Sequence, residues 1–251
     1  MEENIGIADT DWQSIAIIQR CREWSVLIYT DAPITLTWHL IAKSNHQHLG
    51  TIQSSDPSGS FVQYNSPSEM SVCNSASLIL LRFFTRDGKY DFPTLSQVTK
   101  HLVLDLDTTL DQKHYPTHEC RNSNLRHRPI GISVEGLADV FITANLAYDS
   151  PEAAILNRRI FEVIYHAAVE ASCELARAHG TYDTWTGSPA EKGRLQFNLW
   201  RPTLQRRMSW SNLKTQIQEH GLRNSVLVAT APNIAASGFS DCNISVTPYR
   251  R

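Results

Sequence analysis

Apolar positions along the chain change their spacing several times, and each change marks an element. From Met1 to about Arg22 the residues Ile5, Ile7, Trp12, Ile15, Ile17 and Ile18 make a short, weakly amphipathic segment. Trp24 to Tyr29 is a β-branched and aromatic run that predicts a strand, with Asp31-Ala32-Pro33 as a turn after it. Ile34 to Ala42 is apolar again and can pair as a second strand. The chain then turns polar from Ser44 to Ser68, and Ser54 to Ser60, built of Ser, Asp, Pro and Gly, reads as an exposed loop.

Helical spacing takes over next. Leu95, Val98, Leu102, Val103, Leu106 and Leu110 recur every three or four residues and predict an amphipathic helix over Pro93 to Asp111. A basic stretch, Arg121 to Arg128, leads into Pro129 to Val134, a short buried-strand candidate, and Gly136 to Ala144 returns to helical spacing. The clearest element starts at Ser150, a capping residue, with Pro151 at the first helical position and Gly180 as its stop. Gly180 to Trp200 reads as loop, Trp210 to His220 as a helix ended by Gly221, and Ser225 to Thr230 as a short buried strand. The tail from Ala231 is small, polar and irregular, and the chain shows no internal repeat or low-complexity tract.

Composition narrows this picture. At 251 residues and 41% hydrophobic, the chain can bury one sizeable core or two small ones. Lys and Arg (23) nearly balance Asp and Glu (25), with no long run of one sign, which argues against nucleic acid and anionic lipid as partners. The apolar stretches fall short of the roughly 20 residues that span a bilayer, and the start, Met1-Glu2-Glu3, is acidic. A soluble, cytoplasmic protein is the expectation. The five cysteines are scattered, without a C-x-x-C pair, so neither a disulfide framework nor a zinc site is indicated. His114, His118, His166 and His179 have no metal-ligand spacing, and Trp185, Trp200 and Trp210 read as packing residues. No metal or other cofactor is expected.

Several strings go further than periodicity. They are Asn65 to Ser77 (NSPSEMSVCNSAS), Tyr90-Asp91-Phe92, Ser123 to Ile132 (SNLRHRPIGI) with Glu135 to Asp139 behind it, Glu170 to Ala176, Gly187-Ser188-Pro189, Lys192-Gly193 and Arg223-Asn224-Ser225. In order and spacing, from about Lys43 to Ser225, they resemble the large, catalytic subunit of class I ribonucleotide reductases. The resemblance implies a helix-rich α/β fold, part of a ten-stranded α/β barrel comprising the finger loop and part of the second half. It divides the chain into a divergent N-terminal segment (1–42), a partial barrel domain (43–237) and an irregular tail (238–251). The family's effector-binding helical domain, first barrel half and redox tail have no counterpart here, and Pro33 to Ala42 stands as an apolar insert at the base of the finger.

The resemblance also implies a chemistry. In that family a cysteine thiyl radical takes the ribose 3′-hydrogen, while an asparagine and a glutamate bind the sugar and act as general base. Counted without a gap from Gly50-Thr51-Ile52 and from Tyr64 to Asn74, the radical cysteine falls on Ser58, the asparagine on Asp56 and the glutamate on Ser60. Cys73 stands at the position of one of the two redox cysteines, whose partner lies in the first barrel half, so it reads here as an ordinary buried thiol. The family's substrate phosphate loop falls on Asn233, Ile234, Ala235 and Ala236, where the hydroxyls are displaced or gone. That stretch reads as a solvated turn, with weak anion binding by backbone amides as the alternative. Arg126-His127-Arg128 reads as a structural turn before a strand rather than a ligand site.

The expectation is a ribonucleoside-diphosphate reductase large-subunit-like protein that is inactive by itself, with no intact catalytic residue. The alternatives are a repurposed paralogue in a biosynthetic, secondary-metabolite gene cluster and a non-catalytic partner or regulator of an intact large subunit. The partners implied are reductase large or small subunits, and a nucleoside diphosphate would find its side-chain ligands missing.

Overall fold

A computed structural model describes residues 24–28, 35–38, 45–52, 63–72, 74–200, 208–229 and 242–243. The N-terminal amphipathic segment, the polar loop at Ser54 to Ser60 and most of the tail lie outside them. Strands β1 (Trp24–Ile28) and β2 (Thr35–Trp38) pair antiparallel, with Ile28 opposite Thr35, as the two apolar runs predict.

The core is built on β3 (Ser75–Ile79), followed by a 3-10 turn at Leu80–Phe83, α1 (Phe92–Gln112), α2 (His118–His127) and β4 (Gly131–Glu135). The strands β3 and β4 are parallel, in register from Ser75 opposite Gly131 to Ile79 opposite Glu135. On the other side of β4 the 226–229 segment runs parallel to it. Ile130 N–H donates to Val226 O at 3.0 Å, Ile132 N–H to Leu227 O at 2.9 Å, and Ala229 N–H to Ile132 O at 3.1 Å. Among the described residues only the Ile132–Val228 bridge forms there, so the part of the expected Ser225 to Thr230 strand that is described, 225–229, makes one extended contact. Paired on both edges, β4 is buried at all five positions, the mark of an interior parallel strand.

Helices cover this sheet. Asp91 caps α1, its Oδ1 accepting from Thr94 N–H at 3.0 Å, and the helix buries Leu95, Val103, Leu106 and Leu110. After α3 (Leu137–Thr143), α4 (Pro151–His179) opens on Ser150, whose Oγ accepts from Ala153 N–H at 3.1 Å, and ends at Gly180. Ala167, Ala168 and Ala171 are buried on α4, small side chains on a helix that packs along α1. Each buried Leu or Ile in this interface contributes about 1.5–3 kcal/mol relative to exposure. A short helix, α5 (Gln196–Trp200), interrupts the stretch read as loop, and α6 (Trp210–His220) follows, ending at Gly221.

Trp210 is the hinge pin between α4 and α6. Its ring packs against Tyr165, His166 and Phe197, and its Nε1–H donates to the buried carboxylate of Glu162 at 3.1 Å. Trp185 packs edge-on against Tyr182. Both are packing residues, as the sequence suggested.

Candidate functional site

The positions aligned with the family's catalytic trio, Asp56, Ser58 and Ser60, fall in 53–62, outside the described residues. So do Cys73 and the phosphate-loop positions Asn233, Ile234, Ala235 and Ala236. The structure places the frame around them: the turn at 45–52 before the loop, the 63–72 stretch after it, Asn74 beyond Cys73, and the 226–229 segment that leads towards residue 233.

The two sides of the loop are tied to each other and to the core by buried polar groups. Tyr64 N–H donates to His46 Nδ1 at 3.2 Å, joining the two sides directly. A backbone amide can only donate, so Nδ1 is the acceptor nitrogen and the proton of the neutral ring sits on Nε2. Nε2–H therefore donates to Ser225 Oγ, 2.7 Å away. Burial, then the neighbouring His127 and His48, hold the His46 pKa well below the usual imidazole range, in keeping with the neutral form. A serine beside a histidine suggests nucleophilic catalysis, but here the ring points its N–H at the hydroxyl and cannot accept its proton.

Asn45 makes three further ties. Its Nδ2 donates to Tyr182 Oη at 2.8 Å and to Ser225 O at 2.9 Å, and its Oδ1 accepts from Ala190 N–H at 3.1 Å. His48 Nε2–H donates to Thr184 O at 2.7 Å. On the far side, Asn65 Oδ1 accepts from Ser71 N–H at 2.7 Å, and the carboxylate of Glu69 takes Arg126 Nη1 in an ion pair. His127 places Nε2 3.4 Å from the same Glu69 oxygen and Nδ1 2.7 Å from Thr184 Oγ1. Burial lowers the His127 pKa, and Glu69 opposes that shift. This hydroxyl, imidazole and carboxylate series is sealed, with Thr184, His127 and Glu69 all buried, so no substrate can reach the hydroxyl. It fastens the turn after the loop to α2.

Arg128 closes the network below. It ends α2 in a left-handed conformation, φ 45°, and is clamped by two carboxylates. Nε donates to Asp107 Oδ1 at 2.9 Å, and Nη1 and Nη2 donate to the two Asp111 oxygens at 2.8 Å each. Burial opposes the guanidinium charge, but the hydrogen bonds it donates to Asp111 and Asp107 outweigh that and raise the pKa. Asn224 Nδ2 reaches Asp107 Oδ1 at 2.8 Å, and Ser172 Oγ donates to Asn224 Oδ1 at 2.9 Å. In the string Arg126-His127-Arg128, His127 and Arg128 are thus buried scaffolding, and exposed Arg126 is held at the surface by Glu69.

Next to Cys73, Val72 N–H reaches Asn124 Oδ1 at 3.4 Å, and Asn74 Nδ2 donates to Leu106 O at 3.0 Å while its carbonyl accepts from Gly131 N–H at 2.9 Å. At the C-terminal end of β4, Gly136 N–H donates to Asn243 O at 2.9 Å, and Asn243 N–H donates to Asp139 Oδ2 at 2.6 Å. This docking of part of the tail on α3 has no signature in the sequence pattern. His46, His48, Glu69, Asp107 and Thr184 also escaped it, being polar residues whose partners are far away along the chain. Among the described residues no group of His, Cys, Asp and Glu is arranged to hold a metal ion, and no helix is long and apolar enough to cross a membrane.

Residues 34–251 match the family described as ribonucleotide reductase, barrel domain. Relatives include the ribonucleoside-diphosphate reductase large subunit of Caenorhabditis elegans, 46% identical over 207 residues, which are 82% of this chain and 26% of that protein. The large chain of Schizosaccharomyces pombe is 46% identical over 203 residues, 80% of this chain and 25% of that one. The large subunit of Plasmodium falciparum is 41% identical over 256 residues, 99% of this chain and 31% of that one. The chain therefore spans about a quarter to a third of the length of these relatives.

Proposed function

Because the chain belongs to the ribonucleotide reductase barrel-domain family, we propose that it is a large-subunit-type barrel piece that keeps the family's frame and has lost its radical chemistry. One observation carries the reading: serine, Ser58, stands at the position of the radical cysteine. An S–H bond is weak enough to be oxidised through a relay and strong enough to take hydrogen from carbon, whereas a serine O–H bond is too strong to be made into that radical. Ser60, in place of a carboxylate, cannot act as general base on a ribose hydroxyl at neutral pH, and Asp56 replaces the sugar-binding amide.

The ties on both sides of the loop support the ungapped count that leads to these positions. His46 and Tyr64 meet across its base, and Glu69, Asn74, Asn124, Arg128, Asn224 and Ser225, all within matching strings, are buried in the supporting network. Family membership also supports reductase large or small subunits as the class of partner.

The test is a reduction assay on ribonucleoside diphosphates with a small subunit and thioredoxin supplied. No deoxynucleotide above background is expected, and turnover above background overturns the reading. Co-purification with an intact large subunit tests the partner class separately.

A further inference from the structure

A cleft of about 270 Å³ opens on the side of the loop frame, lined by Gln47, His48, Gly187, Pro189, Lys192 and Arg194. It lies between the turn at 45–50 and the Ser188 to Arg194 turn, two segments joined by the Ala190 to Asn45 hydrogen bond, while His48 is tied to Thr184 just upstream. Three features of its wall point the same way.

Lys192 and Arg194 are exposed at its rim, and neither side chain has a carboxylate partner among the described residues. The nearest acid in sequence, Glu191, lies at the same wall, its Oε2 accepting from Gly187 N–H at 2.6 Å, so the two cations outnumber it there. His48 commits Nε2–H to a carbonyl, and its Nδ1 is buried with no hydrogen-bond partner among the described residues. Buried nitrogens of this kind are ordinarily satisfied, so Nδ1 lies beneath the cleft surface as an acceptor that a ligand could engage after a shift of the ring. Gly187, at φ 86°, keeps the wall open: a Cβ there would sit 3.6 Å from His48 Cδ2.

We propose that this cleft binds a phosphate group carried by a small molecule. A phosphate monoester brings two negative charges to the two unpaired cations, matching their number. A P–OH can donate to the bare Nδ1 of His48 once a shift of the ring uncovers that atom. The volume of about 270 Å³ admits the phosphate with a short organic extension. The inference is independent of whether the chain has catalytic activity.

Equilibrium dialysis of the whole chain against radiolabelled inorganic phosphate, and then phenyl phosphate in competition, tests it. Saturable binding that weakens with added salt is expected, with phenyl phosphate competing. Lys192→Gln with Arg194→Gln should weaken it by about tenfold or more, which corresponds to about 1.4 kcal/mol. Both side chains are exposed, and an unchanged circular dichroism spectrum would show that the double variant folds. Absence of saturable binding overturns the proposal. Binding that survives the double substitution also overturns it, because the anion would then sit elsewhere, for example at 233–236.

Discussion

Arg128 and Asp107 meet inside the protein, Nε to Oδ1 at 2.9 Å, with only 5% and 8% of their side-chain surfaces exposed. The pair stands at the junction of α1, α2 and the Arg223-Asn224-Ser225 string, and Asn224 shares the same carboxylate oxygen. Asp111, the second acid on Arg128, is 56% exposed and so screened by water. Removing Arg128 should leave the buried Asp107 carboxylate with only the more distant Arg223, 3.8 Å away, as a cation. Arg128→Met is therefore expected to cost about 3–5 kcal/mol, read as a lower urea midpoint. Asp111→Asn should cost about 1 kcal/mol or less, and equal effects of the two would show that the buried partner is not the important one.

The histidines make stability depend on pH. His46 and His127 have folded-state pKa values below the ordinary imidazole value, so on acidification the unfolded chain binds protons before the folded one does. The sign follows: stability is full above the unfolded pKa, near ~6.5, and is lost as pH falls from there towards the folded values. Denaturant titrations at a series of pH values should show this decline starting at about pH 7. His46→Gln removes one of the titrating groups and should flatten the slope; an unaltered slope would assign the effect to other groups.

Gly221 is the residue least open to substitution at the end of α6. Its φ of 75° and ψ of −162° belong to a region that only glycine occupies readily, and a Cβ there would run into Thr181 Cγ2. Gly221→Ala should destabilise by about 2–4 kcal/mol, from backbone strain and overpacking together. Gly88 is the control, with φ 72° but open space around it. Gly88→Ala should cost about 1–2 kcal/mol, and thermal melts of the two variants would rank them.

Restoring the sulfur alone should restore no reaction. On the proposed assignment, Ser58→Cys supplies the thiol but leaves Asp56 and Ser60 at the positions where the family's amide and carboxylate are expected. The expected result is no ribonucleotide reduction with a small subunit and thioredoxin present, and measurable turnover by this single variant would overturn the assignment of the trio.

Helix α4 was legible from end to end because its signals are local: Ser150 caps it, Pro151 starts it, and Gly180 stops it. The same holds for α1 and α6. Strand β3 was not, because Ser75-Ala76-Ser77 is small and polar and becomes a strand only by pairing with β4. Helix α2 escaped for a related reason. Its buried residues are Cys120, Ser123, Asn124 and His127, so a hydrophobic period does not reveal it, and the capping Thr117 was its one local sign. The frame of the site was visible as strings and not as chemistry. Glu69, His46 and Thr184 are buried through partners 57 to 179 positions away, which spacing along the chain does not encode.

The hydrogen bond between Tyr64 and His46 spans eighteen positions and closes the base of the loop whatever lies between. One buried imidazole thus fixes the distance between the chain entering residue 53 and the chain leaving residue 62. The scaffold sets where that stretch starts and where it finishes, and this setting does not depend on which side chains the stretch carries.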